Sequence, residues 1–190
     1  MYKTYKWSVL PKTTPTVLRY CPKCGRQSEF LSSKSFRVNA NQNNIDVWLI
    51  YQCDKCSSTW NMEILSRVDS STISKDIYQK FISNNQELAD YYAYDVAIHN
   101  KNKAVMNFDS LQYDISGDNI SLTDIREAIQ IQLSCSYPTN MRLDKLLSQK
   151  LCISREKVRK FIDQNIIYSN GIKDLGRAKL RGDIKINILP

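Results

Sequence analysis

The chain has 190 residues, 42% hydrophobic and 24% charged, which is globular composition with room for one large domain or two to three small ones. No run of 18 apolar residues occurs, which excludes a membrane-spanning helix, and a net charge of +8 makes a polyanionic partner a reasonable expectation. The charge is uneven: residues 1–68 carry +6, residues 69–140 carry −5 and residues 141–190 carry +7, and these shifts set the expected domain boundaries.

The opening MYKTYKWSVLPK has cations without a following apolar stretch, so no signal peptide is read there. A cytoplasmic, reducing location is expected, in which six cysteines serve as ligands or buried thiols rather than disulfides. CPKCG (21–25) and CDKC (53–56) form two C-x2-C pairs separated by 28 residues. Two residues between thiolates let one tight turn aim both sulfurs at a point, and two such turns complete a tetrahedron. Cys21, Cys24, Cys53 and Cys56 are therefore the expected ligands of a structural zinc. A redox disulfide is the alternative, but that chemistry usually needs one such pair beside a βαβ unit.

Between the pairs, FRVNA (36–40), the turn NQNN (41–44) and IDVWLIYQC (45–53) predict strand, turn and strand, and STWNMEIL (58–65) alternates again. The prediction is a three-stranded zinc ribbon over residues 1–68, with so small a core that metal supplies stability on the order of 10 kcal/mol.

The acidic region 69–140 is expected to be mixed. Residues 74–103 read as helix, with Asn84 and Glu87 as a cap pair starting a second helical segment. Residues 104–115 and 129–135 read as strands around a turn at 116–119, and 121–128 is ambiguous. His99 is the sole histidine, and its isolation suggests a surface or capping residue rather than a base. Cys135 and Cys152 read as small buried hydrophobes.

In residues 141–190, Leu143, Leu146, Leu147 and Leu151 recur at helical spacing, and Ser154 caps a second helix with Val158, Phe161 and Ile162 on its apolar face. That helix, ISREKVRKFI (153–162), carries Arg155, Lys157, Arg159 and Lys160 around Glu156. Arg155 and Arg159 share one edge. Asn170–Gly171 and Gly182–Asp183 mark turns before the alternating Ile184, Ile186 and Ile188. The whole is predicted to be an α+β protein: zinc ribbon, mixed middle, and a two-helix domain with a small sheet.

Arg142-Leu-Asp-Lys-Leu-Leu, Ser154-Arg155, Asn170-Gly171 and Gly182-Asp183 resemble the RNA-binding domain of the ribosomal protein S-four type over the last quarter of the chain. The resemblance implies contact with folded RNA through Arg142, Lys145, Arg155, Arg159 and Lys173. Two departures are visible: a shortened stretch between the two turns, and Asn165 where the family often has Gly. Over nearly its full length the sequence also resembles an uncharacterised bacterial family catalogued as a domain of unknown function, carried by FRVNAN, DVWLIYQC, the two cysteine pairs, TWN and RLDKLL…SREKVRKFI. That resemblance implies no activity. The expected function is RNA binding by a zinc-containing accessory protein, and the alternative is a protein-interaction or regulatory module using the ribbon. No phosphate loop, dinucleotide fingerprint or histidine-rich site suggests an enzyme.

Overall fold

The computed structural model describes residues 2–122 and 127–190, so residues 123–126 of the ambiguous segment lie outside the described residues. In chain order the strands are β1 (Lys3–Pro11), β2 (Thr16–Cys21), β3 (Arg26–Asn41), β4 (Asn44–Cys53), β5 (Thr59–Asp69), β6 (Val105–Asn107), β7 (Tyr113–Ser116), β8 (Ile129–Ser134), β9 (Ile167–Tyr168) and β10 (Ile184–Ile188). The helices are α1 (Lys75–Ile82), α2 (Gln86–Tyr94), α3 (Val96–Lys101), α4 (Leu143–Lys150) and α5 (Arg155–Asp163). Among the described residues, no helix is long and apolar enough to cross a membrane. The chain forms two compact units, Thr13–Leu111 and Met1–Lys12 with Gln112–Pro190. The charge blocks, by contrast, divide it after residues 68 and 140.

This overturns the predicted α+β arrangement of a three-stranded ribbon, a mixed middle and a two-helix tail with a small sheet. The protein is mostly β, with two five-stranded sheets ordered β5-β4-β3-β2-β6 and β7-β1-β8-β10-β9.

In the Thr13–Leu111 unit all pairings are antiparallel. Alternation places Val17, Phe30, Val47, Leu49, Tyr51, Met62 and Ile64 in one core with Phe81, Ala89 and Ala93 of α1 and α2. The ribbon prediction covered β3, β4 and β5 but not β2 and β6 on their flank. The helical stretch 74–103 is three short helices. Asn85, not Asn84, caps α2 by accepting from the Leu88 N–H at 2.9 Å. Asn84 instead takes φ 53° and accepts from the Phe36 N–H at 2.6 Å, beyond the β3 irregularity between Ser32 and Phe36. At the outer edge of β5, the Asn102 side chain accepts from the Glu63 N–H at 2.9 Å and donates to the Glu63 carbonyl at 2.8 Å, so an amide takes the place of a further strand.

His99 is not a surface residue. It is fully buried, with Nδ1 2.8 Å from the Asp95 carbonyl and Nε2 3.3 Å from the Tyr51 hydroxyl. Burial pulls its pKa below the ordinary histidine value, against the raising effect of Asp95. The neutral ring then donates from Nδ1 and accepts at Nε2. We expect His99→Ala to lower unit stability by about 2 kcal/mol through a cavity and an unpaired Tyr51 hydroxyl, read by thermal melting, while the cysteine cluster is preserved.

In the other unit β1 lies between β7 and β8, antiparallel to the first and parallel to the second. Trp7, Val9, Ile131, Leu133, Ile186 and Ile188 face Leu143, Leu146, Leu147, Leu151 and Val158 of the helices and their flanks. Both predicted C-terminal helices are present, and Ser154 caps α5 by accepting from the Lys157 N–H at 3.1 Å. Their sheet, however, is shared with strands from far outside residues 141–190. Asn170–Gly171 and Gly182–Asp183 do not bracket separate hairpins; both lie in the single connection between β9 and β10, which pair through Tyr168 and Asn187. Cys135 is buried as expected, whereas Cys152 is exposed at φ 53°.

Gly117 follows β7 at φ 93°, and a Cβ there would lie 2.2 Å from the Lys6 carbonyl oxygen and 2.6 Å from the Trp7 ring. The turn is held by Trp7 Nε1, which donates to the Asp118 carbonyl at 2.8 Å, and by buried Lys150, which donates to the Gly117 carbonyl. Gly117→Ala should cost about 2 kcal/mol from backbone strain alone, seen as a reduced denaturant midpoint.

Candidate metal centre and arginine cluster

The first C-x2-C pair is the β2–β3 turn. Gly25, at φ 66°, donates its N–H to the Cys21 carbonyl at 2.9 Å. The second pair is the β4–β5 turn, where Ser57 at φ 58° donates to the Cys53 carbonyl and Cys53 donates to the Ser58 carbonyl, both at 2.9 Å. Pairing of β3 with β4 sets Phe30 opposite Cys53, and the Asp54 N–H donates to the Glu29 carbonyl at 2.9 Å, so the two turns are joined at one end of the sheet.

All four sulfurs lie within 4.8 Å of one another, with Cys21–Cys56 at 3.5 Å and Cys24–Cys53 at 3.9 Å. A tetrahedron with metal–sulfur bonds of ~2.3 Å has edges of about 3.8 Å, so the arrangement is compatible with a metal ion, and none of these thiols is in a disulfide. Cys21 and Cys53 are buried, and Cys24 and Cys56 half-buried. Hydrogen bonding from the Ser58 hydroxyl and N–H pulls the Cys56 thiol down to about 6. Burial raises that of Cys53, but the Lys55 and Cys56 N–H groups bring it net below its usual value. Hydrogen bonding to Cys56 and burial push Cys24 up to about 12. The turns thus already supply N–H donors to sulfur, which favour thiolate.

The second cluster lies on α4 and α5. Asp144 is fully buried, and three arginines meet on it. Arg155 donates to its two oxygens at 3.0 Å each, Arg159 at 3.2 Å from Nε and 3.0 Å from a terminal nitrogen, and Arg142 at 3.1 Å. Arg142 also donates to the Gly176 carbonyl at 2.9 Å, tying down the β9–β10 connection. Burial pushes the Asp144 carboxyl upward, but the arginine hydrogen bonds and charges outweigh it and hold the group below the usual carboxylate range. Three cations sharing one carboxylate leave two positive charges. The arginine side chains keep exposures of 38%, 44% and 52%, so they remain open to a ligand.

Of the other expected RNA-contacting residues, Lys173 lines a groove of about 670 Å³ with Arg142, Arg159 and Arg177, in company with Asp163 and Asp174. Lys145 is exposed on α4 outside that groove. Asp144 was not among the residues picked from the sequence. Its signal was present: it stands three and seven residues before Leu147 and Leu151 on the apolar stripe, with Arg142 beside it. Asn165 takes φ 56°, with its N–H donating to the Ile162 carbonyl at 2.9 Å and the Ile166 N–H to Phe161 at 2.9 Å. It occupies the left-handed position after α5 that glycine commonly fills, which asparagine tolerates.

Residues 38–173 match the family described as "Protein of unknown function (DUF1062)". The chain belongs to this family. The matched span takes in the second cysteine pair, Asp144 and all three of its arginines, while the first cysteine pair precedes it. No curated protein and no solved structure matches the chain.

Proposed function

We propose that this DUF1062 protein is a zinc-containing RNA-binding accessory protein that contacts folded RNA through α4 and α5. Zinc is the metal that best suits four thiolates with no open position, and its role is structural. The observation that carries the RNA reading is the convergence of Arg142, Arg155 and Arg159 on buried Asp144. The carboxylate holds three guanidinium groups while the arginine side chains stay partly exposed, and fixed guanidinium forks suit phosphate oxygens. The resemblance of these helices to the S-four-type domain, with Lys145 and Lys173 nearby, supports the same reading.

The test compares Arg155/Arg159→Gln with Lys157/Lys160→Gln, which remove equal charge. Binding to structured RNA should weaken more for the arginine pair, and the log–log salt slope should fall by about one to two units. Equal losses would mean diffuse attraction instead. Melting curves must accompany the assay, because the arginine pair also braces Asp144.

The aromatic residues of the β5-β4-β3-β2-β6 sheet are less suited to stacking on bases: Arg19 already sits 4.0 Å from the Trp60 ring centroid and Arg37 5.9 Å from that of Trp48. The second reading, a protein-interaction module, is favoured by exposed Leu18 and Val105, paired across β2 and β6, with Tyr20 beside them.

A further inference from the structure

One face of the β7-β1-β8-β10-β9 sheet packs on the helices; the other is open and polar. Register puts its side chains in rows. Lys6 and Lys185 both pair with Gln132, so they flank β8 at a backbone separation of about 10 Å. The adjoining row runs from Thr4 through Gln130 and Asn187 to Tyr168, and on the other side Ser8 pairs with Ser134. Gln130 donates to the Asn187 side chain at 3.2 Å. Tyr2 precedes β1 and Tyr168 lies on β9, three strands across, yet their hydroxyls are 3.3 Å apart. The two phenols therefore reach towards each other over the amide row, where Asn187 keeps 6% exposure.

Two grooves run along this face, of about 720 Å³ beside Lys6, Ser8 and Ser134, and about 670 Å³ beside Asn170, Lys179 and Arg181. Both are lined by Asp183, Ile184 and Lys185, so the two adjoin at the start of β10 and together make a track. Its cations are Lys6, Lys185, Lys179 and Arg181. Its acid, Asp183, accepts from the Cys135 N–H at 3.3 Å. Among the described residues Lys6, Lys185 and Arg181 have no ion-pair partner. Asp114, on the same side of the sheet, is held by Lys12 at 2.8 Å.

We propose that this open sheet face is a second nucleic-acid site that takes a single-stranded RNA segment. The track's excess positive charge matches a phosphate backbone, and unpaired lysines give up no partner on binding. The hydroxyls of Thr4 and Ser8 and the amide of Gln132, which are exposed or half-buried, offer both donors and acceptors to base edges and 2′-hydroxyls, and Tyr2 and Tyr168 supply aromatic planes at one end. A duplex would offer neither base faces nor Watson–Crick edges to such a surface. The inference rests on the reading of the protein as RNA-binding, and adds a single-strand contact to the folded-RNA contact on α4 and α5.

The test uses the full chain and three probes: a blunt RNA hairpin, the same hairpin with an oligouridine tail, and oligouridine alone. Each is titrated by fluorescence anisotropy against wild type, Lys6→Gln/Lys185→Gln and Arg155/Arg159→Gln. The lysines are exposed, so the first variant should keep the Trp7 near-ultraviolet circular dichroism signal. The tail should tighten binding to wild type about tenfold or more. The lysine variant should lose that gain, with the oligouridine salt slope reduced by about 1.4, and bind the blunt hairpin like wild type. A tail that adds nothing, or a gain insensitive to the lysines, overturns the sheet-face site and leaves the arginine surface standing. Lysine-dependent oligouridine binding without any hairpin binding overturns the arginine surface and keeps the sheet-face site. Heparin competing as well as oligouridine, with the same lysine dependence, overturns it in favour of unspecific polyanion attraction. No binding of any probe overturns both.

Discussion

Protein purified without chelator should contain one zinc per chain by elemental analysis, and Cys53→Ser should lose it, together with more than about 10 °C of melting temperature. Apparent zinc binding at four thiolates amounts to about 10 kcal/mol or more, and a domain of this size shifts by roughly 4–8 °C per kcal/mol. The loss should be uneven. The β2–β3 and β4–β5 turns depend on the cluster, so hydrogen-exchange protection should vanish first at the Gly25, Cys53 and Ser57 amides. Val47, Leu49 and Tyr51 are held by a separate apolar core with Phe81 and Ala89, and their amides should retain protection longer. This differs from the expectation for a bare three-stranded ribbon, which would have no core to fall back on. Full zinc and unchanged stability in Cys53→Ser would sink the assignment.

Asp144→Ala should destabilise the other unit by about 3 kcal/mol, measured by denaturant unfolding. Breaking a buried ion pair typically costs ~3–5 kcal/mol, and the value falls at the low end because all three arginines can turn partly to water. The same variant should weaken RNA binding although it raises the net positive charge, since the guanidinium groups lose their common anchor. A purely electrostatic surface predicts the opposite, tighter binding. The pH dependence has a defined sign. The folded carboxyl titrates below its ordinary value near 3.9, so its contribution is fully present above that value and is lost as pH falls through the depressed folded pKa. Asp144→Asn should abolish that part of the acid transition.

The cysteine site was legible because ligand spacing is local: C-x2-C turns need only a few residues each, and two of them specify their own meeting point. The α4 and α5 helices were legible for the same reason, through leucine periodicity and the Ser154 cap. What escaped was long-range pairing. Tyr5, Trp7 and Val9 alternate in KTYKWSVLP, the ordinary mark of a half-buried strand, but adjacent lysines gave the segment the look of a charged terminus. Nothing local says that β1 pairs with β8. Charge blocks report on surface and partners, whereas the compact units follow where apolar faces meet. Arg155 and Arg159 were correctly placed on one helix edge. That the edge closes on Asp144 depends on the crossing of two helices.

The parallel pairing of β1 with β8 joins Lys3 to Ile129 and Ser8 to Ser134, and the whole Thr13–Leu111 unit is inserted between them. On a ribosome, β1 emerges before β8, and the strand it needs is made more than a hundred residues later. At synthesis rates of roughly 5–20 residues per second, Trp7 and Val9 wait on the order of ten seconds without their core, while the inserted unit has all of its sequence and can take up metal. The order of assembly is then the reverse of the order of synthesis for these ends. Although made ahead of the other strands of its sheet, β1 is among the last to be placed, and during that interval its unpaired edges are open to pairing with another copy or to a chaperone.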